Sequence, residues 1–209
     1  MNVSEVSVGR DDLLIVSDFA CERGGRTLFG NLSFNVSSGA IVRVDGPNGS
    51  GKSTLLRSLC GLFPDWEGSV DWQVSGYPLY VGHKLGVSAD LSVEENVAYL
   101  LALHDVSTDQ QSILDRLTEA DLIHQRRRPV RELSEGQRKK VSLCRLGLIE
   151  SEVWLLDEPF VSLDAETIAW LRGVMTDHCQ RGGAIVYTSH QAIEIQGQIV
   201  LDLSSLAVG

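Results

Sequence analysis

Cysteine is scarce in this chain and widely scattered. Cys21, Cys60, Cys144 and Cys179 are its only four, and no two stand at C-x-x-C spacing, which excludes a zinc knuckle and the C-x-x-C-H attachment of c-type haem. They are expected to serve as small buried hydrophobes in a reducing compartment. Basic charge is also short: 18 Lys and Arg stand against 28 Asp and Glu, a formal charge of −10. Binding along a nucleic acid needs clustered Lys and Arg, so nucleic acid is not an expected partner. Long apolar runs are missing too. Stretches such as Val153-Trp154-Leu155-Leu156 fall far below the roughly 20 residues that span a bilayer. No basic-then-apolar leader opens the chain, and residence in the cytoplasm is expected.

What is present is enough to fold. A chain of 209 residues with 43% hydrophobic content can bury a core as one domain with a subdomain. Its most informative stretch is Gly46-Pro47-Asn48-Gly49-Ser50-Gly51-Lys52-Ser53, followed by Thr54. This fits G-x-x-x-x-G-K-[ST], a loop whose backbone N–H groups wrap phosphates while its lysine supplies positive charge. The glycines permit close approach and positive φ, and a following helix would aim its positive end at the anion. Ile41-Val42-Arg43-Val44 reads as the strand before the loop. Leu55, Leu56 and Leu59 read as the helix after it, stopped by Gly61.

Elsewhere the chain reads as follows. Residues 1 to about 12 are polar and expected to fray. Leu13-Leu14-Ile15-Val16 and 27–36 read as strands of an antiparallel sheet leading into the P-loop strand; after the loop's helix come a turn at 63–68, a half-exposed strand at 69–74 and a short buried strand at Leu79-Tyr80-Val81-Gly82. Ser92-Val93-Glu94-Glu95 has capping-box form and opens a helix through Val97, Leu100, Leu101 and His104. Ile113, Leu114, Leu117 and Leu122 suggest a second helix. The run Arg126, Arg127, Arg128 and Arg131 reads as a solvated basic turn more readily than as a dock for an acidic partner.

A second anion site is then expected. Leu133-Ser134-Glu135-Gly136-Gln137 opens a helix carrying Val141, Cys144 and Leu148 on one face, and Ser134 is a natural N-cap beside a glycine amide. Val153-Trp154-Leu155-Leu156 reads as a buried strand delivering Asp157 and Glu158, a carboxylate pair suited to a magnesium water ligand and a base for water attack. Ser162-Leu163-Asp164 precedes a helix around 168–178. The strand 184–189 delivers His190, whose imidazole could bond a terminal phosphate. A last strand is expected at 199–203, and no C-terminal regulatory domain is expected after it.

Taken together, these motifs resemble the ATP-binding cassette family over nearly the whole chain. The resemblance implies a P-loop NTPase α/β fold, with a RecA-like parallel core sheet, an antiparallel β-subdomain and an inserted α-helical subdomain. The core and β-subdomain would take about 1–82 and 151–209, the helical subdomain about 83–150. It implies that Lys52 and the loop amides hold the phosphates of ATP, that Ser53 binds Mg2+ directly and Asp157 through water, that Glu158 polarises the attacking water, and that His190 is the switch histidine. It further implies a head-to-tail homodimer, in which Ser134, Gly136 and Gln137 of one copy close over the nucleotide of the other and Asp164 lies in a dimer-contact loop. Three positions depart from the usual pattern. Glu135 replaces a signature glycine and is expected to point away from the phosphates. His83 stands where the family has a magnesium-touching glutamine, and Arg23 where many members stack an aromatic ring on adenine.

The stretches Cys21-Glu22-Arg23, Arg26-Thr27-Leu28-Phe29, Tyr80-Val81-Gly82-His83 and Leu91-Ser92-Val93-Glu94-Glu95-Asn96 narrow the resemblance to ATP-binding subunits of cytochrome c maturation (haem exporter) systems. That implies attachment to membrane permease subunits on the cytoplasmic face of the inner membrane, with no direct haem binding by this chain. A transporter ATPase for another solute is the alternative. A soluble ATPase acting on DNA or ribosomes fits less well, because the acidic balance opposes it and no sustained heptads lie between Lys52 and Leu133. A degenerate nucleotide-binding module is disfavoured by the presence of Lys52, Asp157, Glu158 and His190.

Overall fold

Two sheets are built from the alternating and fully apolar stretches of the sequence. The computed structural model describes residues 9–191 and 193–206, apart from the side chains of Arg26 and Ser205. β1 (Asp12–Arg23), β2 (Arg26–Ser37) and β4 (Trp66–Trp72) form an antiparallel sheet in the order β2-β1-β4. β3 (Ile41–Asp45), β5 (Leu79–Val81), β6 (Val153–Leu156), β7 (Ala184–Thr188) and β8 (Ile199–Asp202) form a second sheet, all parallel, in the order β5-β6-β7-β3-β8. β6 and β7 are buried at every position, as befits central strands of a parallel sheet covered on both faces.

Several boundaries differ from the sequence reading. Asp12, expected to fray, instead opens β1 and is buried, accepting hydrogen bonds from Ser37 Oγ at 2.6 Å and Asn35 Nδ2 at 3.0 Å. Those donors, Ser37 first, hold its carboxyl below the usual range. The rest of the expected frayed segment, 1–8, lies outside the described residues. β1 runs well past Val16 because irregular pairings absorb its slips against β2, and Gly24 and Gly25, φ 62° and 75°, supply the tight turn to β2. Trp66, read as turn, is already strand: it pairs with Cys21 and stacks on Phe19, ring centroids 5.2 Å apart.

α1 (Lys52–Leu59) follows β3 and buries Leu55, Leu56 and Leu59, each worth about 1.5–3 kcal/mol of transfer free energy. Gly61, φ 74°, ends it: Gly61 N–H donates to Ser58 O and Leu62 N–H to Arg57 O, 2.9 and 2.8 Å, the paired bonds of a Schellman motif. These leucines join Leu14, Val16, Phe19, Phe29, Val42, Val44, Leu155 and Val186 in one core between the sheets.

The chain divides into two compact units. The first comprises Met1–Gly82, Ser151–Pro159 and His178–Gly209, and the second His83–Glu150 and Phe160–Asp177. In the second, α2 (Val93–Ala102) starts at a full capping box of Ser92 and Glu95, and α3 (Gln110–Glu119) is capped by Asp109. α4 (Glu135–Leu143) is capped by Ser134, whose Gln137 partner makes a second box. It stops before Leu148, so the expected three-residue face is not all helical; His104 likewise lies past α2. α5 (Ala165–Gln180) belongs to the second unit as far as Asp177 and to the first from His178 on. Three arginines of the basic run are paired, Arg126 with Glu94 at 3.8 Å, Arg128 with Glu132 at 3.5 Å and Arg131 with Asp90 at 2.9 Å. That is the neutralised, solvated turn. Cys21, Cys144 and Cys179 are buried free thiols, and Cys60 is half-buried.

His178 gives the fold a pH dependence. Its ring stacks on Trp154, centroids 3.8 Å apart and planes 9° off parallel, and a Cβ at Gly183 would fall on it. Burial first of all pushes its pKa down from 6.5 to about 4. Folding therefore favours the neutral ring: that contribution is complete above about 6.5 and is lost as pH falls from there towards about 4. His178→Phe keeps an aromatic ring and removes the proton site. Its urea midpoint, followed by circular dichroism, is expected to fall less between pH 6.5 and 4 than that of the unsubstituted chain; equal slopes would clear His178 of the effect.

Candidate functional site

The candidate site lies where β3, β6 and β7 end side by side. Open α/β sheets place ligand sites at such carboxyl ends. The turn from β3 into α1 is the glycine-rich loop 46–53. Gly46, Gly49 and Gly51 have φ of 146°, 84° and 97°, values that disfavour any side chain. Space forbids one as well: a Cβ at Gly51 would meet the Phe29 ring at 2.7 Å, and at Gly46 it would meet Ser50 Oγ at 2.6 Å. Lys52 is only 8% exposed, its Nζ donating to Gly46 O at 2.7 Å and Pro47 O at 3.1 Å. The ammonium thus spans the mouth of its own loop. Ser50 Oγ is buried without a hydrogen-bond partner, and Thr54 is buried in the first turn of α1.

Register brings the acidic pair to this loop. Leu156 of β6 pairs with Tyr187 of β7, so the next residues, Asp157 and Thr188, stand side by side. Asp157 Oδ1 accepts from Thr188 Oγ1 and from Ser53 Oγ, both at 2.8 Å, joining the loop helix to β6. Asp157 is 5% exposed. Its charge is the second cause, after burial, that pushes the neighbouring Tyr80 hydroxyl up to about 12. Glu158 takes φ 52°, a left-handed value uncommon outside glycine. Its N–H donates to Thr188 Oγ1 at 2.8 Å, which fixes that turn. His190 Nδ1 lies 3.0 Å from Glu158 Oε2, and the His190 N–H also donates to that oxygen at 3.4 Å. Beside the loop, Arg43, Asp45, Pro47, Asn48, His190 and Asp202 line a cleft of about 570 Å³.

Two ligand classes fit these groups. The side-chain-free cradle, its lysine and the orphaned Ser50 hydroxyl suit phosphate oxygens. Ser53 Oγ and the Asp157 carboxylate are hard oxygen donors suited to a divalent cation with retained waters. The first unit therefore collects Gly46, Pro47, Asn48, Gly49, Ser50, Gly51, Lys52, Ser53, Thr54, Asp157, Glu158 and His190 from the sequence-predicted set. Arg23 also belongs to that unit, exposed at the end of β1 opposite Arg26. Thr188 was not foreseen; its one sequence signal is a hydroxyl closing the apolar run Ala184-Ile185-Val186-Tyr187.

The second unit holds the remaining residues. Ser134, Gly136, Gln137, Asp164 and Thr167 line one cavity of about 470 Å³ with Glu135, Lys140 and Ser162. Asp164 Oδ1 accepts from Thr167 N at 2.8 Å, capping α5, and this bonding with Thr167 holds its carboxyl below the usual range. Glu135 turns to Ser162, whose Oγ donates to its Oε1 at 2.8 Å. His83 is an exposed residue separated from the end of β5 by Gly82.

Comparison with known proteins agrees with this geometry. Residues 29–161 match the family model of the ABC transporter. The chain is 39% identical to the cytochrome c biogenesis ATP-binding export protein CcmA of Nitrosospira multiformis, covering 88% of this chain and 94% of that one. It is 39% identical to the CcmA of Aromatoleum aromaticum, covering 93% and 97%. Among solved structures, an ABC transporter ATP-binding protein from Pyrococcus furiosus superposes with a TM-score of 0.83 at 20% identity, covering 93% of this chain and 99% of that one. A metal-chelate type ABC transporter in an inward-facing conformation gives 0.76 at 26% identity, covering 92% and 80%. No helix among the described residues is long and apolar enough to cross a membrane. With a phosphate cradle, an acidic pair and a histidine gathered at one sheet end, the chain belongs to the ABC transporter family, as a nucleotide-binding, ATP-hydrolysing subunit.

Proposed function

We propose that the chain powers an ABC membrane complex of cytochrome c biogenesis, in which closure of two copies over ATP drives the handling or export of haem. The observation that carries this reading is the 38–39% identity, over 88–96% of the chain, to three export proteins named for that process. Peripheral attachment to permease subunits at the cytoplasmic face of the inner membrane follows from it. Choice of cargo rests with those subunits, and this chain holds no haem. Transport of another solute is the second reading, favoured by the 26% likeness to a metal-chelate type transporter.

The chemistry uses the gathered groups. Loop amides and Lys52 grip the β- and γ-phosphates of ATP, with Thr54 in the helix turn behind them. Ser53, directly, and Asp157, through water, would hold Mg2+, which when bound screens phosphate charge and orients the transferring group. Glu158 takes a proton from the water that attacks the γ-phosphorus as the bond to the β–γ bridging oxygen breaks, leaving ADP and phosphate. His190, with Nδ1 on Glu158, keeps Nε2 for the terminal phosphate. Ser134, Gly136 and Gln137 of a second, head-to-tail copy close over the nucleotide, with Asp164 in the contact loop. A two-fold pair then carries two equivalent sites. Arg23 is the candidate for adenine stacking, and His83 occupies the position of the magnesium-touching glutamine. The core with its β-subdomain and the helical subdomain together act as one ATPase domain.

Affinity purification from solubilised membranes tests the assignment. Tagged chain carrying Glu158→Gln is expected to recover membrane subunits of haem handling, and cells bearing only that variant are expected to lose haem-stained c-type cytochromes. Recovery of permeases unconnected with haem, with cytochromes intact, would remove the haem assignment and leave the ATPase standing.

A further inference from the structure

We infer that Glu135 is a positioning residue: its bond with Ser162 ties the signature turn to the loop at 162–164, so that both surfaces one copy offers the other are set together. The inference rests on the composite two-copy site proposed above. Three observations within the second unit carry it. Ser162 Oγ donates to Glu135 Oε1 at 2.8 Å. Ser162 itself is held at φ 64°, an unfavourable conformation for a serine unless its surroundings impose it. A Cβ at Gly136 would come within 2.6 Å of Ser162 O, so the start of α4 and the loop are in backbone contact at the residue the hydrogen bond holds.

The same bond engages a carboxylate that stands at a helix start. Glu135 is the first residue of α4, where a negative side chain is favoured by the helix dipole yet would repel a phosphate approaching the same amides. Directed onto Ser162, the carboxylate is occupied as a hydrogen-bond acceptor. Glycine at this position would free the turn of its charge and also of its tether. Two residues after Ser162, Asp164 caps α5 through Thr167 N. The tether therefore links the N-termini of two helices, α4 and α5, through one short loop.

The test uses the full chain in a Glu158→Gln background, reading by sedimentation the ATP concentration that half-converts monomer to dimer. Glu135→Ala and Ser162→Ala are each expected to raise it about tenfold, the order expected for one hydrogen bond to a charged acceptor. The two together are expected to do no more than either alone. Glu135→Gln keeps an acceptor oxygen and is expected to stay within about twofold of the parent. Multiplying single effects, a Gln variant as damaged as Ala, or one that dimerises more readily than the parent would each overturn the inference, the last because charge would then outweigh the bond. If the parent Glu158→Gln chain forms no ATP-dependent dimer, the composite site itself fails and the inference falls with it.

Discussion

Glu158→Gln is expected to hydrolyse ATP at least about 100-fold more slowly than the unsubstituted chain while still binding it, because a positioned general base contributes on the order of 10²–10⁴ in rate. The substitution preserves shape and hydrogen-bonding reach and removes only the ability to accept a proton. The backbone should not move, since the Glu158 N–H is anchored on Thr188 Oγ1 at 2.8 Å and its φ of 52° is set by that turn. The carboxylate is aimed as well as placed, with His190 Nδ1 3.0 Å from its Oε2. Steady-state phosphate release measures the loss, and a nucleotide titration measures the retained binding. A variant turning over ATP at the unsubstituted rate would show that the base lies elsewhere.

Lys52→Ala is expected to fail one step earlier. The Nζ bonds to Gly46 O and Pro47 O show that the ammonium already lies at the mouth of the loop with its stem buried. A charge-assisted hydrogen bond contributes about 1.5–3 kcal/mol, or roughly a 10- to 100-fold change in affinity. Weakening of that size is expected in a calorimetric titration with ATP. Unchanged affinity would remove the phosphate-binding role of the loop.

The two variants separate binding from chemistry on one structural logic. Loop and carboxylates come from residues 104 apart in sequence, Ser53 and Asp157, joined by one hydrogen bond at the end of the parallel sheet. With β7 lying between β3 and β6, the Thr188 hydroxyl at the end of β7 holds the turn after β6 through Asp157 Oδ1 and the Glu158 N–H, and Ser53 reaches Asp157 from the loop after β3.

What could be read before folding was what local chemistry dictates. Positive φ at three loop glycines, the Ser92 and Ser134 caps and the Gly61 stop each follow from side-chain or backbone demands within a few residues. The apolar runs at 153–156 and 184–188 announce buried parallel strands for the same reason. The role of Thr188 is not legible in sequence because its partners, Asp157 and Glu158, lie 31 and 30 residues away and only strand register creates the contact. The Glu135–Ser162 bond is hidden likewise, its partners standing 27 residues apart in sequence. The sequence marks β1 only as far as Val16 because irregular register breaks the alternation beyond it, and Pro64 and Gly68 on either side of Trp66 signal a turn where the strand already begins.

Sedimentation of Glu158→Gln against ATP and against ADP tests the central claim most directly. Closure of two copies over two nucleotides requires a monomer without nucleotide, a dimer at saturating ATP with Mg2+, two ATP bound per dimer, and a return to monomer when ADP replaces ATP. A chain that stays monomeric at saturating ATP, or that dimerises equally with ADP, would contradict it.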